Sequence, residues 1–161
     1  MYSINNGKIW QHYVFDSSSL DNRGVFYGTQ YNSSVDFVFN ANQSLVKNFK
    51  TINYEGSSDW QMSTMQTSSD SALPISRTLP LAASITELQN QLLQNSFKKK
   101  ENKYFANLIN NTTSQPGEIS WGQDMSGIKG FFATVQMNVD NSLGGKKELF
   151  AVSTNYVESS Y

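Results

Sequence analysis

The sequence contains no cysteine and only one histidine among its 161 residues. Without thiols, disulfide bonds, cysteine nucleophiles and cysteine metal sites are excluded. His12 alone cannot supply the usual ligand set of a zinc or iron site, which leaves carboxylates as the main candidates. The acidic residues show no loop with EF-hand spacing. We therefore predict no metal site and no cofactor.

Charge is also scarce. Charged residues make up 16% of the chain and the formal net charge is -1, whereas an average soluble domain has roughly 25% charged residues. Such a chain has no long-range field to attract nucleic acid or an anionic membrane. It also lacks any run near the ~20 apolar residues of a membrane span, and "MYSINNGKIW" does not resemble a secretory signal. We expect neither direct nucleic-acid binding nor membrane insertion.

Closely spaced strands dominate the first third of the sequence. The segments "KIWQHYVF", "VFYGTQY", "SVDFVFN" and "LVKNFKTINY" are rich in aromatic and β-branched residues and are separated by turn-forming residues. This pattern predicts about four strands in the first 54 residues. The predicted fold class is mainly β: one domain over residues 1–161, forming an antiparallel sandwich or a barrel-like unit.

The middle of the chain has a different pattern. Residues 63–83 show no sustained period and are rich in serine and threonine, which predicts a long irregular arm between two strand-rich halves. After the arm, Ser84 and Glu87 form a capping-box pattern, followed by leucines at helical spacing. This segment is either one short helix or a connector whose leucines dock on the sheet.

The last third returns to strands. In "GFFATVQMNVD" alternate residues form one apolar face, and "ELFAVSTNYVE" follows after a loop that contains Gly144 and Gly145. We expect the two strands to form an antiparallel hairpin. The residues predicted to share the apolar face are Phe131, Ala133, Val135, Met137 and Val139.

Catalytic chemistry has weak support in the sequence. His12 lies inside an aromatic strand, where a packed or hydrogen-bonded histidine is the more common finding. A glycosidase needs two carboxylates, and the pairs Asp124 with Glu118 and Asp59 with Glu55 are candidates that nothing distinguishes from solvated turn acids. We predict that the protein is not an enzyme and has no catalytic residues.

One basic patch has aromatic neighbours. The run 98–100 and Lys103 are lysines next to Tyr104 and Phe105, a combination that can contact phosphates and stack on bases. The favoured interpretation is a solvated strand whose charges discourage edge-to-edge pairing.

Four aromatic side chains are candidate interface residues. Trp60 and Trp121 each follow a serine-containing turn and could form a sugar-stacking platform, although burial at a sheet end or at a subunit contact is the favoured interpretation. Tyr54 and Phe49 lie in the strand "VKNFKTINYEG", whose lysines we place on its polar side. Phe49 and Ile52 are predicted to lie on opposite, covered faces of that strand.

Several segments taken in order resemble the C-terminal region of large virion structural proteins of tailed bacteriophages, including crAss-like muzzle or tail-nozzle proteins and marine phage proteins. These are "NGKIWQHYV", the block from Phe26 to Trp60, "SFKKKENKYFANLI" and "GIKGFFATVQM" with "KELFAVSTNYVESSY". The most specific elements are "FYGTQY", "VFN" and "FKTINYEGS". Asn102 and Gln43 depart from the family's usual glycine and proline. The long N-terminal part of those proteins does not occur in these 161 residues, which leaves a short homologue, a processed fragment and a piece of a longer protein as alternatives.

The resemblance implies a non-enzymatic structural protein in the tail region of the virion, such as a nozzle or baseplate component, made in the host cytoplasm. Its implied partners are other virion proteins and copies of itself. The alternative is a receptor- or carbohydrate-binding module that contacts a host surface glycan.

Overall fold

The chain folds into antiparallel β-sheets. The structure is a computed structural model that describes residues 1–12, 24–78, 95–112, 125–143 and 145–159. Its strands are β1 (Tyr2–Asn5), β2 (Lys8–Gln11), β3 (Val25–Phe26), β4 (Thr29–Gln30), β5 (Ser33–Phe39), β6 (Lys47–Gly56), β7 (Trp60–Gln66), β8 (Lys98–Lys100), β9 (Lys103–Asn107), β10 (Ile128–Gly130), β11 (Ala133–Val139) and β12 (Leu149–Glu158). A 3₁₀ turn covers Asn141–Leu143. The predicted mainly-β class is confirmed.

Two sheets form a sandwich around one core. In the larger sheet β12 pairs with one side of β6, while β10 and β9 pair in succession with the other side, and β8 pairs with β9. In the smaller sheet β11 lies between β5 and β7. Buried side chains from both sheets form a single hydrophobic cluster. Within the described residues neither sheet closes into a barrel.

Strand β11 shows the predicted alternation. Ala133, Val135, Met137 and Val139 are each at most 2% exposed, and the residues between them are half-buried. The apolar face was therefore predicted correctly from Ala133 onward. Phe131 is 43% exposed because it precedes the strand, so its predicted place on this face was wrong.

The predicted hairpin between β11 and β12 was wrong. Strand β11 already has β5 and β7 on its two edges, so β12 crosses to the larger sheet and pairs with β6. Asp140 stabilises the turn that follows β11: its Oδ1 accepts hydrogen bonds from the amide (2.9 Å) and hydroxyl (2.6 Å) of Ser142. These bonds lower the pKa of the Asp140 carboxyl. Gly145 has the expected positive φ of 73°, and Gly144 lies outside the described residues.

A β-bulge changes the facing of side chains along β6. On β12, Asn155 opposes Thr51 and the next residue, Tyr156, opposes Phe49, so Lys50 is an extra residue. A bulge shifts the alternation by one position. Phe49 and Ile52 are consequently both buried in the same core, at 1% and 0% exposure. The prediction that they are covered is correct, and the prediction of opposite faces was wrong.

The boundary of the predicted arm also changes. Its first four residues, 63–66, continue β7, with Met65 fully buried. The chain then folds back along β7 through bridges from Gln66 to Ser71 and from Met62 to Ile75. Residues 79–94 lie outside the described residues; they include the end of the predicted arm and the leucines of the segment predicted as a short helix or a connector.

The N-terminal hairpins are two small two-stranded sheets, β1–β2 and β3–β4. Asn6 and Gly7 have φ of 50° and 72° in the first turn, and Tyr27 and Gly28 have 53° and 79° in the second. Positive φ at both central residues is the signature of the type I′ turn that suits the twist of a tight hairpin.

Candidate assembly surfaces

The described candidate interface residues lie in the core. Phe49, Tyr54 and Trp60 are 1%, 0% and 7% exposed, and Trp121 lies outside the described residues. The Tyr54 ring stacks on Tyr104 at 4.8 Å between ring centroids. The indole of Trp60 donates a hydrogen bond of 2.8 Å to a backbone carbonyl of the segment before β12. Their contacts are thus with their own chain, and an interface role for them stays a prediction.

Burial changes the chemistry of Tyr54. Its hydroxyl has no hydrogen-bond partner of good geometry among the described residues. Removal from water raises the pKa of the Tyr54 phenol well above its usual range, and the nearby Tyr104 and Asp59 add to the shift, while the Trp60 backbone acts in the opposite direction. This phenol is therefore a neutral part of the core.

The carboxylates considered for glycosidase chemistry are each paired with a lysine. Asp59 Oδ2 lies 2.5 Å from Lys147 Nζ, and Glu55 Oε1 lies 2.9 Å from Lys103 Nζ. The Lys147 side chain is only 5% exposed, so its ion pair with Asp59 is largely removed from water. The other candidate pair, Asp124 with Glu118, lies outside the described residues.

His12 belongs to an aromatic cluster at the N-terminal hairpins. Its Nε2 lies 2.6 Å from the hydroxyl of Ser3, and its ring packs edge-on against Tyr27 at 5.6 Å. Trp10 packs on the same tyrosine at 5.8 Å. A catalytic triad also needs an acidic side chain that contacts the histidine. Within the described part of the chain no carboxylate contacts His12, so Ser3 and His12 do not form such a triad there.

These hairpins also carry an exposed apolar face. Tyr2, Ile4 and Ile9 are 68%, 77% and 76% exposed, and Ile4 stands directly opposite Ile9 in the register. The other face of the same hairpin, with Ser3 and Trp10, is half-buried. This face is therefore a candidate contact surface.

The lysine run forms one edge of the larger sheet. Residues 98–100 are the exposed strand β8, which pairs only with β9 among the described strands. Lys99 lies over the ring of Tyr104, 5.6 Å from its centroid, but Tyr104 is only 5% exposed. The buried Tyr104 ring cannot stack on a base, which leaves Phe105, at 36% exposure, as the accessible ring of the two. The contacts therefore favour the interpretation of charges that protect an edge.

Lys47, at the start of β6, is buried, which the sequence pattern did not predict. Lys47 is 0% exposed, although the alternation of the strand placed its lysines on the polar side. Its Nζ donates hydrogen bonds to the carbonyls of Asn42 (2.9 Å) and Leu45 (3.0 Å) and lies 5.9 Å from the ring centroid of Tyr156. That placement was wrong for Lys47, which ties the loop before β6 to the sheet.

The opposite edge of the larger sheet was also missed. Strand β12 has ten residues and carries no charge from Leu149 to Val157, and its other side pairs with no strand of the described chain. Phe150 and Val157, near its two ends, are 71% and 59% exposed. The uncharged run was the available sequence signal, but only the sheet order shows that this strand is an edge.

A comparison with known families identifies the chain. The model of a family described as the crassvirus muzzle protein C-terminal domain matches residues 21–111. That segment is more than half of the 161 residues, so the chain belongs to this family. It is a structural protein of a crassvirus virion. The resemblance noted in the sequence is thereby confirmed.

The matched segment contains β3 to β9, whereas β11 and β12, which complete the two sheets, follow it. A search of curated proteins finds no significant match. In the part of the chain that the structure describes, no helix has the length and hydropathy needed to cross a bilayer. The same residues include no cluster of three or more histidine or acidic side chains that could hold a metal ion.

Proposed function

We propose that this protein is a non-enzymatic component of the virion tail, at the nozzle or baseplate, that assembles with neighbouring virion subunits and with copies of itself. The observation that carries the proposal is the match to the muzzle-protein domain over residues 21–111. The exposed apolar face of Tyr2, Ile4 and Ile9 supports it, because such a face is stabilised when another subunit covers it.

The proposal that the protein is not an enzyme rests on the contacts made by the side chains considered for catalysis. Asp59 and Glu55 each form an ion pair with a lysine, and His12 Nε2 lies 2.6 Å from the Ser3 hydroxyl with no carboxylate among its contacts in the described residues. Release of reducing sugars from host glycans by the purified chain would contradict it, provided that a Glu55→Gln, Asp59→Asn double variant loses the activity.

The location is tested by labelling particles. A peptide tag inserted between Asn6 and Gly7 sits in an exposed turn outside the sandwich. Gold-labelled antibody against the tag should bind at the tail of purified virions and not at the capsid. A label over the capsid, or purified particles that lack the protein, would overturn the proposed position.

A polar depression favours glycan binding as a second candidate function. On the outer face of the smaller sheet, a depression of about 420 Å³ is lined by one carboxylate and several amides and hydroxyls. Such groups can hydrogen-bond sugar hydroxyls. The polar side chains concerned are Asp36, Thr64, Gln66, Thr134 and Gln136. If they bind a glycan, a Gln136→Ala variant should lose signal on an array of host glycans while Gln30→Ala keeps it; equal binding by both variants would remove this candidate.

A further inference from the structure

Most edges of the two sheets in the described residues carry a charge or a cover. Strand β8 consists of three lysines, and β5 has Asp36 at its centre. The outer edge of β7 is covered by the segment that contains Ser71 and Ile75. Beside the short β10, the backbone of Lys129 bonds to Asp70 Oδ2 (2.8 Å). Charges and covers of this kind prevent pairing with other chains.

Strand β12 differs from all of these. Its one side pairs with β6 from Leu149 to Glu158, and its other side has no strand partner among the described residues. The run from Leu149 to Val157 contains no charge and no proline. The register with β6 shifts between Leu149 and Ala151, which makes Phe150 a bulge at the start of β12. The regular edge that presents unpaired backbone groups to another strand therefore runs from Ala151 to Val157.

We propose that β12 pairs with β12 of a second copy of this chain, in antiparallel orientation, so that the two larger sheets become continuous. The inference deepens the proposed assembly function by naming one contact. It concerns pairing between two copies in solution, and therefore its failure would leave the position in the tail standing.

The charges at the ends of β12 favour a second copy in antiparallel orientation. Lys146, which precedes the strand, pairs with Glu148 and keeps 76% of its side chain exposed, and Glu158 ends the strand. An antiparallel partner places Glu158 beside this balanced ion pair. A parallel pair would instead place Glu158 beside Glu158.

The exposed apolar groups follow the same pattern. Phe150 (71% exposed) is near the start of β12 and Val157 (59% exposed) is near its end. They are seven residues apart, or about 23 Å along a strand, so they cannot touch within one chain. An odd separation would put them on opposite faces of a regular strand, but Phe150 is the bulged residue, which shifts the alternation, and both side chains are exposed. In an antiparallel pair, Phe150 of one copy therefore approaches Val157 of the other at both ends of the contact. The interface is isologous and closes as a dimer.

Sedimentation equilibrium on matched variants tests this pairing. The unmodified chain should dimerise with increasing concentration, and Val157→Lys should weaken the dimer at least about tenfold. Val38→Lys is the control, because Val38 is 56% exposed on the edge strand β5 and its replacement should leave the constant within about twofold. A Phe150→Glu, Val157→Lys double variant should recover dimerisation, since opposite charges then meet between copies.

Three results would overturn the proposal: an unmodified chain that stays monomeric up to about 1 mM, equal effects of Val157→Lys and Val38→Lys, or a double variant no tighter than Val157→Lys. A monomer that instead accepts a strand from another virion protein would also exclude the second copy as occupant.

Cross-linking supplies a second measurement if a charged variant fails to fold. Because the chain has no cysteine, a Phe150→Cys chain mixed with a Val157→Cys chain should give a mixed disulfide on mild oxidation. The Phe150→Cys chain alone should give much less. Equal cross-linking of Phe150→Cys with itself would contradict the antiparallel arrangement.

Discussion

The sandwich and the N-terminal hairpins use the same kinds of residue in opposite ways. In the sandwich, Ile52 and Tyr54 are fully buried in β6. In the first hairpin, Ile4 and Tyr2 occupy the same alternating positions of a strand but are 77% and 68% exposed. An isolated two-stranded hairpin is at best marginally stable in water, because it has no second layer to cover its apolar face.

This difference shows that β-strand composition alone does not make a core. The sandwich covers its strands with a second sheet, whereas the first hairpin leaves one apolar face open and packs the other through Trp10 and His12 against the second hairpin. Stability should therefore depend on the sandwich, whereas the apolar face of the hairpin should contribute to contacts with other subunits and little to stability. Identical substitutions placed in both regions can break or sharpen this contrast.

The largest contrast is expected for isoleucine truncation. Ile52→Ala removes buried methyl groups from the core and should lower the free energy of unfolding by about 2–5 kcal/mol. Ile4→Ala should change it by no more than about 0.5 kcal/mol. Urea unfolding followed by tryptophan fluorescence measures both. Similar losses in the two variants would show that the hairpin face is buried in solution.

The next largest difference in stability is expected between two glycine-to-alanine substitutions, at Gly127 and Gly7. Gly127 has φ of 94°, and a Cβ there would strike the Asn48 side chain and lie 2.7 Å from the Phe49 carbonyl oxygen. Strain and overlap should together cost about 2–4 kcal/mol in Gly127→Ala. Gly7 has φ of 72°, and a Cβ there would meet no atom within 4 Å, so Gly7→Ala should cost about 1 kcal/mol from backbone strain alone. Thermal unfolding compares them, and an equal loss in both would refute the steric argument.

A smaller effect is expected for lysine removal. Lys47→Ala leaves the carbonyls of Asn42 and Leu45 without their buried donor and should destabilise the chain by about 1–3 kcal/mol. The exposed Lys8 is the matched position, where alanine should be neutral within about 0.5 kcal/mol. Hydrogen exchange should also show faster exchange in residues 40–46 of the Lys47→Ala chain only. Unchanged exchange there would mean that Lys47 does not hold the loop.

The smallest effect is a pH dependence. Burial raises the pKa of Tyr54, so the neutral phenol stabilises the fold below the ordinary tyrosine pKa of about 10. This stability is lost as the pH rises above that value, because the unfolded state then releases its proton more easily. Tyr54→Phe should be within about 1 kcal/mol of the parent at neutral pH and should lose less stability between about pH 9 and 11.

Tyr2→Phe is the control for this titration, since its side chain is exposed in the folded chain. Denaturation midpoints measured across the pH range should be parallel for Tyr2→Phe and the parent. A parallel curve for Tyr54→Phe as well would remove the buried phenol as the cause.

The strands were predictable because their signal is local. The alternation in "ATVQMNV" correctly assigned Ala133, Val135, Met137 and Val139 to the core of β11. Each residue needs only its neighbours in sequence to show this period of two. The mainly-β class and the family resemblance follow from the same local patterns and segment order.

The candidate surfaces were predicted less well, since they depend on distant partners. Trp60, Tyr54 and Phe49 have the composition of interface residues, but a second sheet covers them. The bulge at Lys50 shifts the alternation and places Phe49 with Ile52 on one face. Neither the cover nor the bulge has a signal in the strand itself, because both arise from pairing with β12 and packing on the smaller sheet.

By itself the sequence determined that this chain forms strands, lacks thiol chemistry and carries little charge, because these properties belong to single residues and short segments. Only the tertiary structure decided that β12 pairs with β6 and not with β11, that Lys47 is buried, and that the uncharged strand β12 lies at the edge of its sheet. These outcomes depend on which edges are already occupied when strands far apart in sequence meet. For that reason the surface proposed for self-pairing is visible only in the folded chain.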